Sequence, residues 1–190
     1  PGDVRYKTVN KDDLMAPENY TYLGSPLPKF SYSLNGSLSY KGFDLSLLLQ
    51  GVYGNKLYNG PSTYSLSTGN LSYNFSRDMV NRWHGEGTSN WEPIVDNSRP
   101  INRMNSSYYI EDGSFFRLRN VQLGYSLPQD VLQRLRVQKL RFYANVQNLK
   151  TWHKNTGYVP EIGGSALAFG IDNGTYPMPM IVTYGVNLTF

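Results

Sequence analysis

Residues 29–40 read KFSYSLNGSLSY, and this stretch decides the class of structure. Its even positions are Phe30, Tyr32, Leu34, Gly36, Leu38 and Tyr40, apolar or aromatic but for the glycine. Its odd positions, Ser31, Ser33, Asn35, Ser37 and Ser39, are small and polar. A period of two this strict describes a strand with one apolar and one polar face. Lys41-Gly42 then predicts a tight turn, because glycine takes positive φ without penalty. The chain resumes with Phe43, Leu45, Leu47 and Leu49 on one face, against Asp44, Ser46 and Gln50 on the other, with Leu48 out of pattern.

Three segments further along alternate in the same way. Val121, Leu123, Tyr125 and Leu127 interleave with Asn120, Gln122, Gly124 and Ser126. Leu140, Phe142, Ala144 and Val146 interleave with Lys139, Arg141, Asn145 and Gln147. Met178, Met180, Val182, Tyr184, Val186, Leu188 and Phe190 interleave mostly with polar residues. The predicted strands are 29–40, 43–53, 114–127, 139–149 and 178–190, long for a soluble sheet and close to the roughly 9–11 residues of a tilted membrane strand. Their connections are lopsided. Residues 41–42 and 128–138 are short, whereas 54–113 and 150–177 are long. Strands reverse at each connection, so the short ones share one side and the long ones the other, the plan of an outer-membrane barrel. Tyr40 and Phe43 at the short side, with Phe30, Tyr32 and Tyr53 opposite, stand where interfacial aromatic girdles belong.

Composition excludes other classes. Of 190 residues 39% are hydrophobic and 17% charged, yet 14% are aromatic, with 16 tyrosines, which disfavours helical bundles and disordered chains alike. The net charge of +4 has no lysine-arginine cluster to give it direction, so nucleic acid is not implied. Zero cysteines removes disulfides, thiolate metal sites and cysteine nucleophiles together. No run of 18 apolar residues offers a transmembrane helix.

Alternation of this kind also builds half-solvated sandwiches, so a secreted soluble β-sandwich that binds carbohydrate is the rival reading. Five long strands, the loop asymmetry and the aromatic ends favour the barrel. Five strands cannot close a bacterial barrel, whose strand count is even and at least eight. Open edges in lipid would leave backbone groups unsatisfied. The expectation is therefore a carboxy-terminal, five-strand portion of a larger antiparallel transmembrane barrel. The apolar ladder that ends at Phe190 resembles the terminal-strand signal of bacterial outer-membrane barrels, which implies a part for Phe190 in barrel assembly.

A series of short motifs carries a family resemblance. It runs through Gly2-Asp3-Val4-Arg5-Tyr6-Lys7, Leu23-Gly24-Ser25-Pro26-Leu27-Pro28 and Tyr40-Lys41-Gly42-Phe43-Asp44-Leu45-Ser46. It continues through Asp112-Gly113-Ser114-Phe115-Phe116-Arg117-Leu118-Arg119-Asn120-Val121, Leu123-Gly124-Tyr125, Asn148-Leu149, Gly170-Ile171-Asp172 and Tyr176-Pro177. In order and spacing it resembles the carboxy-terminal region of SusC/RagA-type TonB-linked outer-membrane transporters of Bacteroidetes. The resemblance implies an integral outer-membrane location and the last strands of a plugged barrel of about 22 strands. It further implies nutrient uptake, of oligosaccharides or peptides, beneath a SusD-like surface lipoprotein. Energy would come from TonB through an amino-terminal plug domain, which this stretch does not include. The family's early segment often resembles the start of a calcium loop, which needs several oxygen ligands and a glycine. Here Thr8-Val9-Asn10-Lys11-Asp12-Asp13 has threonine at the first ligand position and no glycine, so no metal is expected.

No catalytic or cofactor-binding residues are expected. His84 and His153 lie far apart in sequence, and nothing selects a carboxylate pair from Glu86, Glu92, Asp96, Glu111, Asp112 and Glu161. Trp83, Trp91 and Trp152 fall in the long loops and are the candidates for substrate or partner contact, since aromatic faces stack on sugar rings. The plainer role is that each packs its own loop. Residues 77–83 predict a short helix beneath Trp83. The polar row Ser31, Ser33, Asn35, Ser37 and Ser39, with Asn145, Gln147, Asn187 and Thr189, is expected inside the barrel against water or plug.

Overall fold

The computed structural model describes residues 1–66, 74–165 and 167–190. Its strands are β1 (Phe30–Tyr40), β2 (Phe43–Tyr53), β3 (Lys56–Asn59), β4 (Ile110–Asp112), β5 (Phe115–Ser126), β6 (Lys139–His153), β7 (Ile171–Asp172) and β8 (Ile181–Thr189). Two short helices, α1 (Gly60–Ser65) and α2 (Gln129–Leu135), complete the regular elements beside four 3₁₀ turns. No helix among the described residues is long and apolar enough to cross a membrane, which says nothing of strands.

The chain divides into two compact units. A sheet unit holds residues 27–55, 112–161 and 176–190, and a loop unit holds 1–26, 56–111 and 162–175. In the sheet unit the long strands form one antiparallel meander, ordered β1-β2-β5-β6-β8. Lys41 (φ 46°) and Gly42 (φ 86°) make the β1–β2 turn, the paired positive φ values that a two-residue hairpin requires. Helix α2 fills the β5–β6 connection and ends on Arg136 in the left-handed region.

Register aligns like with like. Across the middle of the sheet Gly36, Leu47, Val121, Val146 and Val182 stand in one row. The next row, on the opposite face, is Ser37, Ser46, Gln122, Asn145 and Thr183. The apolar face is uncovered: Leu34 is 63% exposed, Leu38 67%, Leu123 51% and Val186 57%. Aromatic rings bound it at both ends. Near the short connections Phe43 and Tyr125 lie 4.5 Å apart, between Tyr40 and Phe142 in the same row. Near the long ones Tyr32, Phe116 and Trp152 stack in sequence at 6.4 and 5.6 Å, and Phe30 stacks on Tyr53 at 5.2 Å. The Tyr32 ring lies over Gly51, where a side chain would occupy its place.

The ladders shift register once on each side of β5, between Leu48 and Leu49 against β2 and between Leu118 and Asn120 against β6. Strand β5 carries one more residue than β2 through this zone, at Arg119. Strand β6 carries one more again, at Asn148, whose φ is 53°.

The loop unit is built from turns. Its small sheet orders β4-β3-β7, with β3 and β7 parallel. Asn59 caps α1 by accepting from the Ser62 amide at 3.1 Å. Residues 9–19 are organised by asparagines: Asn19 Oδ1 accepts from the Val9 and Asn10 amides, and Asn10 Oδ1 from those of Asp12 and Asp13. Side-chain amide oxygens thus close the loop.

Candidate functional site

A groove of about 550 Å³ opens in the loop unit between the segment Gly2–Lys7 and the residues around Trp83, Trp91 and Tyr108. The segment alternates. Asp3, Arg5 and Lys7 are exposed, whereas Gly2, Val4 and Tyr6 turn partly inward. The inward residues are tied down: the Val4 amide donates to Asn102 Oδ1 at 2.7 Å, and the Tyr6 hydroxyl to the Ile101 carbonyl at 2.7 Å. The Ile94 amide donates to the Gly2 carbonyl at 2.9 Å. Arg99 links Asp3 to Asp96 at 3.0 and 2.8 Å, and the Asn102 amide adds a further bond to Asp3. Partial burial pushes the Asp3 carboxyl up, but the Arg99 and Asn102 hydrogen bonds outweigh it and hold it below the ordinary carboxylate value.

The far wall is set by two turns. Ser89 Oγ accepts from the amides of Trp91 and Glu92, which projects the Trp91 ring outward, 74% exposed. Ser106 Oγ accepts from the Tyr108 amide and places that ring 5.9 Å from Trp91. The Tyr108 hydroxyl donates to the Glu92 carboxylate. Burial first, and then the adjacent Glu92 charge, raise Tyr108 far above the normal phenol range, so it stays a donor. Behind it Tyr109 is 2% exposed and is pushed up to about 12, chiefly by burial.

The structure separates the three candidate tryptophans. Trp83 is half-buried, its ring against the amino-terminal segment in the place where a side chain at residue 2 would stand, and it lines the groove's inner part. The 3₁₀ turn Arg77–Asn81 precedes it, capped by Ser76. Trp91 is free at the groove. Trp152 is not in a loop: β6 runs to His153, and Trp152 joins the aromatic row of the apolar face. The expected loop start at residue 150 is therefore corrected to a point beyond His153. The even-numbered apolar phase of β6 does continue to Trp152, but the extra residue at Asn148 and the charge of Lys150 hide it in the sequence. Phe190 follows β8 and is 81% exposed.

On the polar face, sequence reasoning missed a strand-borne network. Arg141 reaches across Gly124 to Asp44 at 2.5 and 2.9 Å, occupying the space a residue-124 side chain would need. The Tyr143 ring lies over Gly185 in the same manner. Arg117 is 1% exposed; it donates to Thr151 Oγ1 at 2.8 Å and pairs with Glu161. Arginines at strand positions facing a carboxylate or a glycine were the available signal. The loop carboxylates are likewise engaged, Glu92 by Tyr108, Asp96 by Arg99 and Glu111 by Asn59. Each histidine approaches a backbone carbonyl at 3.0 Å, His84 that of Arg82 and His153 that of Asn155.

Comparison with known proteins gives one consistent picture. No protein-family model matches the chain. It is 32% identical to TonB-dependent receptor P3 and 31% to TonB-dependent receptor P26 of Formosa agariphila, each alignment covering 100% of this chain. It is 30% identical to TonB-dependent receptor SusC of Bacteroides thetaiotaomicron over 83% of this chain. The chain spans about a fifth of these relatives: 20% of P26, 19% of P3 and 15% of SusC. Among solved structures it superposes on the RagAB peptide importer in the closed-closed state with a TM-score of 0.75 at 24% identity. For the open-open state the TM-score is 0.74 at 23% identity, and both matches cover 88% of this chain and 18% of that one.

Proposed function

Since this chain belongs to the TonB-dependent receptors of SusC/RagA type, we propose that it is part of an importer carrying oligosaccharides or peptides across the outer membrane. Its five-stranded sheet is a portion of the barrel wall. The observation that carries the proposal is the uncovered apolar face bounded by two aromatic rows. Strand β1 has 11 residues, about 34 Å along the strand, which a tilt of about 42° reduces to the roughly 25 Å apolar band of such barrels. A soluble sandwich would bury these rows beneath a second sheet.

In this reading lipid meets the apolar face and the polar face looks into the barrel. The long connections leave the extracellular strand ends, where a SusD-like lipoprotein and the substrate are met. Energy is supplied by TonB. The full-length protein should fractionate with the outer membrane and require detergent for extraction. Uptake of its labelled substrate should stop in a strain lacking TonB. A protein that stays in aqueous buffer, or uptake indifferent to TonB, would overturn the proposal.

A further inference from the structure

The groove beside Trp91 has a charge pattern that narrows the ligand. Resting on the importer reading, we propose that it is a binding subsite for an anionic oligosaccharide. Three observations converge.

The first is the aromatic platform. Trp91 is the most exposed of the groove's rings, fixed by the Ser89 turn and braced at 38° by Tyr108, itself held by Glu92. A bare, fixed indole face suits the C–H face of a pyranose, which stacks without demanding one side-chain shape. The second is the lining chemistry. Ser89, Asn90, Ser106 and Ser107 supply short hydroxyl and amide groups, whereas the aliphatic lining residues are Val4 and Pro93. Hydroxyl-bearing ligands are served by such a wall, set among the rings of Tyr6, Trp83, Trp91 and Tyr108.

The third observation is charge. Four ionisable side chains other than tyrosine line the groove: Asp3, Arg5, Lys7 and Glu92. Both carboxylates are engaged, Asp3 by Arg99 and Asn102 and Glu92 by Tyr108. Arg5 and Lys7 are exposed and have no ion-pair partner among the described residues. The groove therefore presents two uncommitted cations beside a sugar-stacking ring. Arginine's planar fork takes a carboxylate or a sulfate ester through paired hydrogen bonds, and lysine adds a point charge. A uronic-acid chain or a sulfated sugar chain supplies anion and ring face together.

The test uses the full-length protein in detergent with four probes. These are an oligouronide, its carboxyl-reduced neutral form, a sulfated oligosaccharide of equal length and an acidic peptide. At least one charged saccharide should bind about tenfold tighter than the neutral form, the worth of one charge-assisted contact. Arg5→Gln with Lys7→Gln should erase that preference while leaving the neutral form's affinity. Arg5→Lys with Lys7→Arg should keep most of it, which separates charge from loss of fold. Trp91→Ala should weaken every saccharide. Whether the uronide or the sulfated chain gains more identifies the anion. Equal affinities for charged and neutral sugars, an unaltered preference in the double Gln variant, or binding of the acidic peptide alone would overturn the subsite. The importer reading is judged separately, by outer-membrane fractionation and TonB dependence.

Discussion

Asp3 shows how one side chain can set a local pH response. Its carboxyl is held below the ordinary value, so the tie to Arg99 is complete above the unfolded carboxylate range, near pH 3.9. The tie is lost only as pH falls through the depressed folded value. With Arg99 34% and Asp3 36% exposed, solvent screening keeps its worth small. In the full-length protein Asp3→Asn should therefore speed amide hydrogen exchange at Val4 and Ile94 about twofold at neutral pH. The difference from wild type should vanish in strong acid. A difference that grew on acidification would refute the sign. Gly124 makes a sharper case. Valine there displaces the Arg141–Asp44 pair and should cost about 1–3 kcal/mol in refolding titrations. Gly36→Val is the control, because an added Cβ at Gly36 meets nothing within 4 Å. Equal penalties at the two glycines would dismiss the ion pair as a structural element.

At the scale of strands, the faces were legible in the sequence and the kinks were not. Alternation in residues 29–53 identifies both sides of β1 and β2, because a half-covered strand must repeat every two residues. Arg119 switches the apolar phase of β5 without any glycine or proline to announce it. The extra residue at Asn148, with the charge of Lys150, hides the unbroken phase of β6. For the same reason Trp152 read as a loop residue. The groove was half legible: Trp91 stood out by type, but its partnership with Gly2–Lys7 joins segments some 90 positions apart, and no periodicity reports such a contact. The face assignment itself can be tested. Leu47 lies in the central apolar row and Ser37 in the adjacent polar row. Leu47→Arg should destabilise the full-length barrel by about 2–4 kcal/mol on refolding into lipid vesicles, and Ser37→Arg far less. Matching losses would mean that the two faces are misassigned.

For the molecule as a whole, β1 and β8 form the outer edges of the five-stranded sheet among the described residues. In the importer reading neighbouring strands of the barrel pair with them, since lipid offers backbone groups no hydrogen bonds. We propose that Phe190, beside the row Leu188, Val186, Tyr184 and Val182, takes part in barrel assembly. Phe190→Asp in the full-length protein should then lower its outer-membrane abundance on immunoblots at constant synthesis. Undiminished abundance would remove Phe190 from that role.

The stepped extra residues of β5 and β6 carry one more consequence. A smooth strand can slide past its neighbour by two residues and recover every hydrogen bond and every face. Here such a slide would move Arg119 and Asn148 out of alignment and carry Phe116 and Trp152 away from each other. The kinks thus act as detents, leaving the three strands one position in which all pairs close. In a barrel the sum of such offsets is the shear, which with the strand count fixes tilt and diameter. In the importer reading, two residues of the wall thus help to set the tilt and width of the whole barrel.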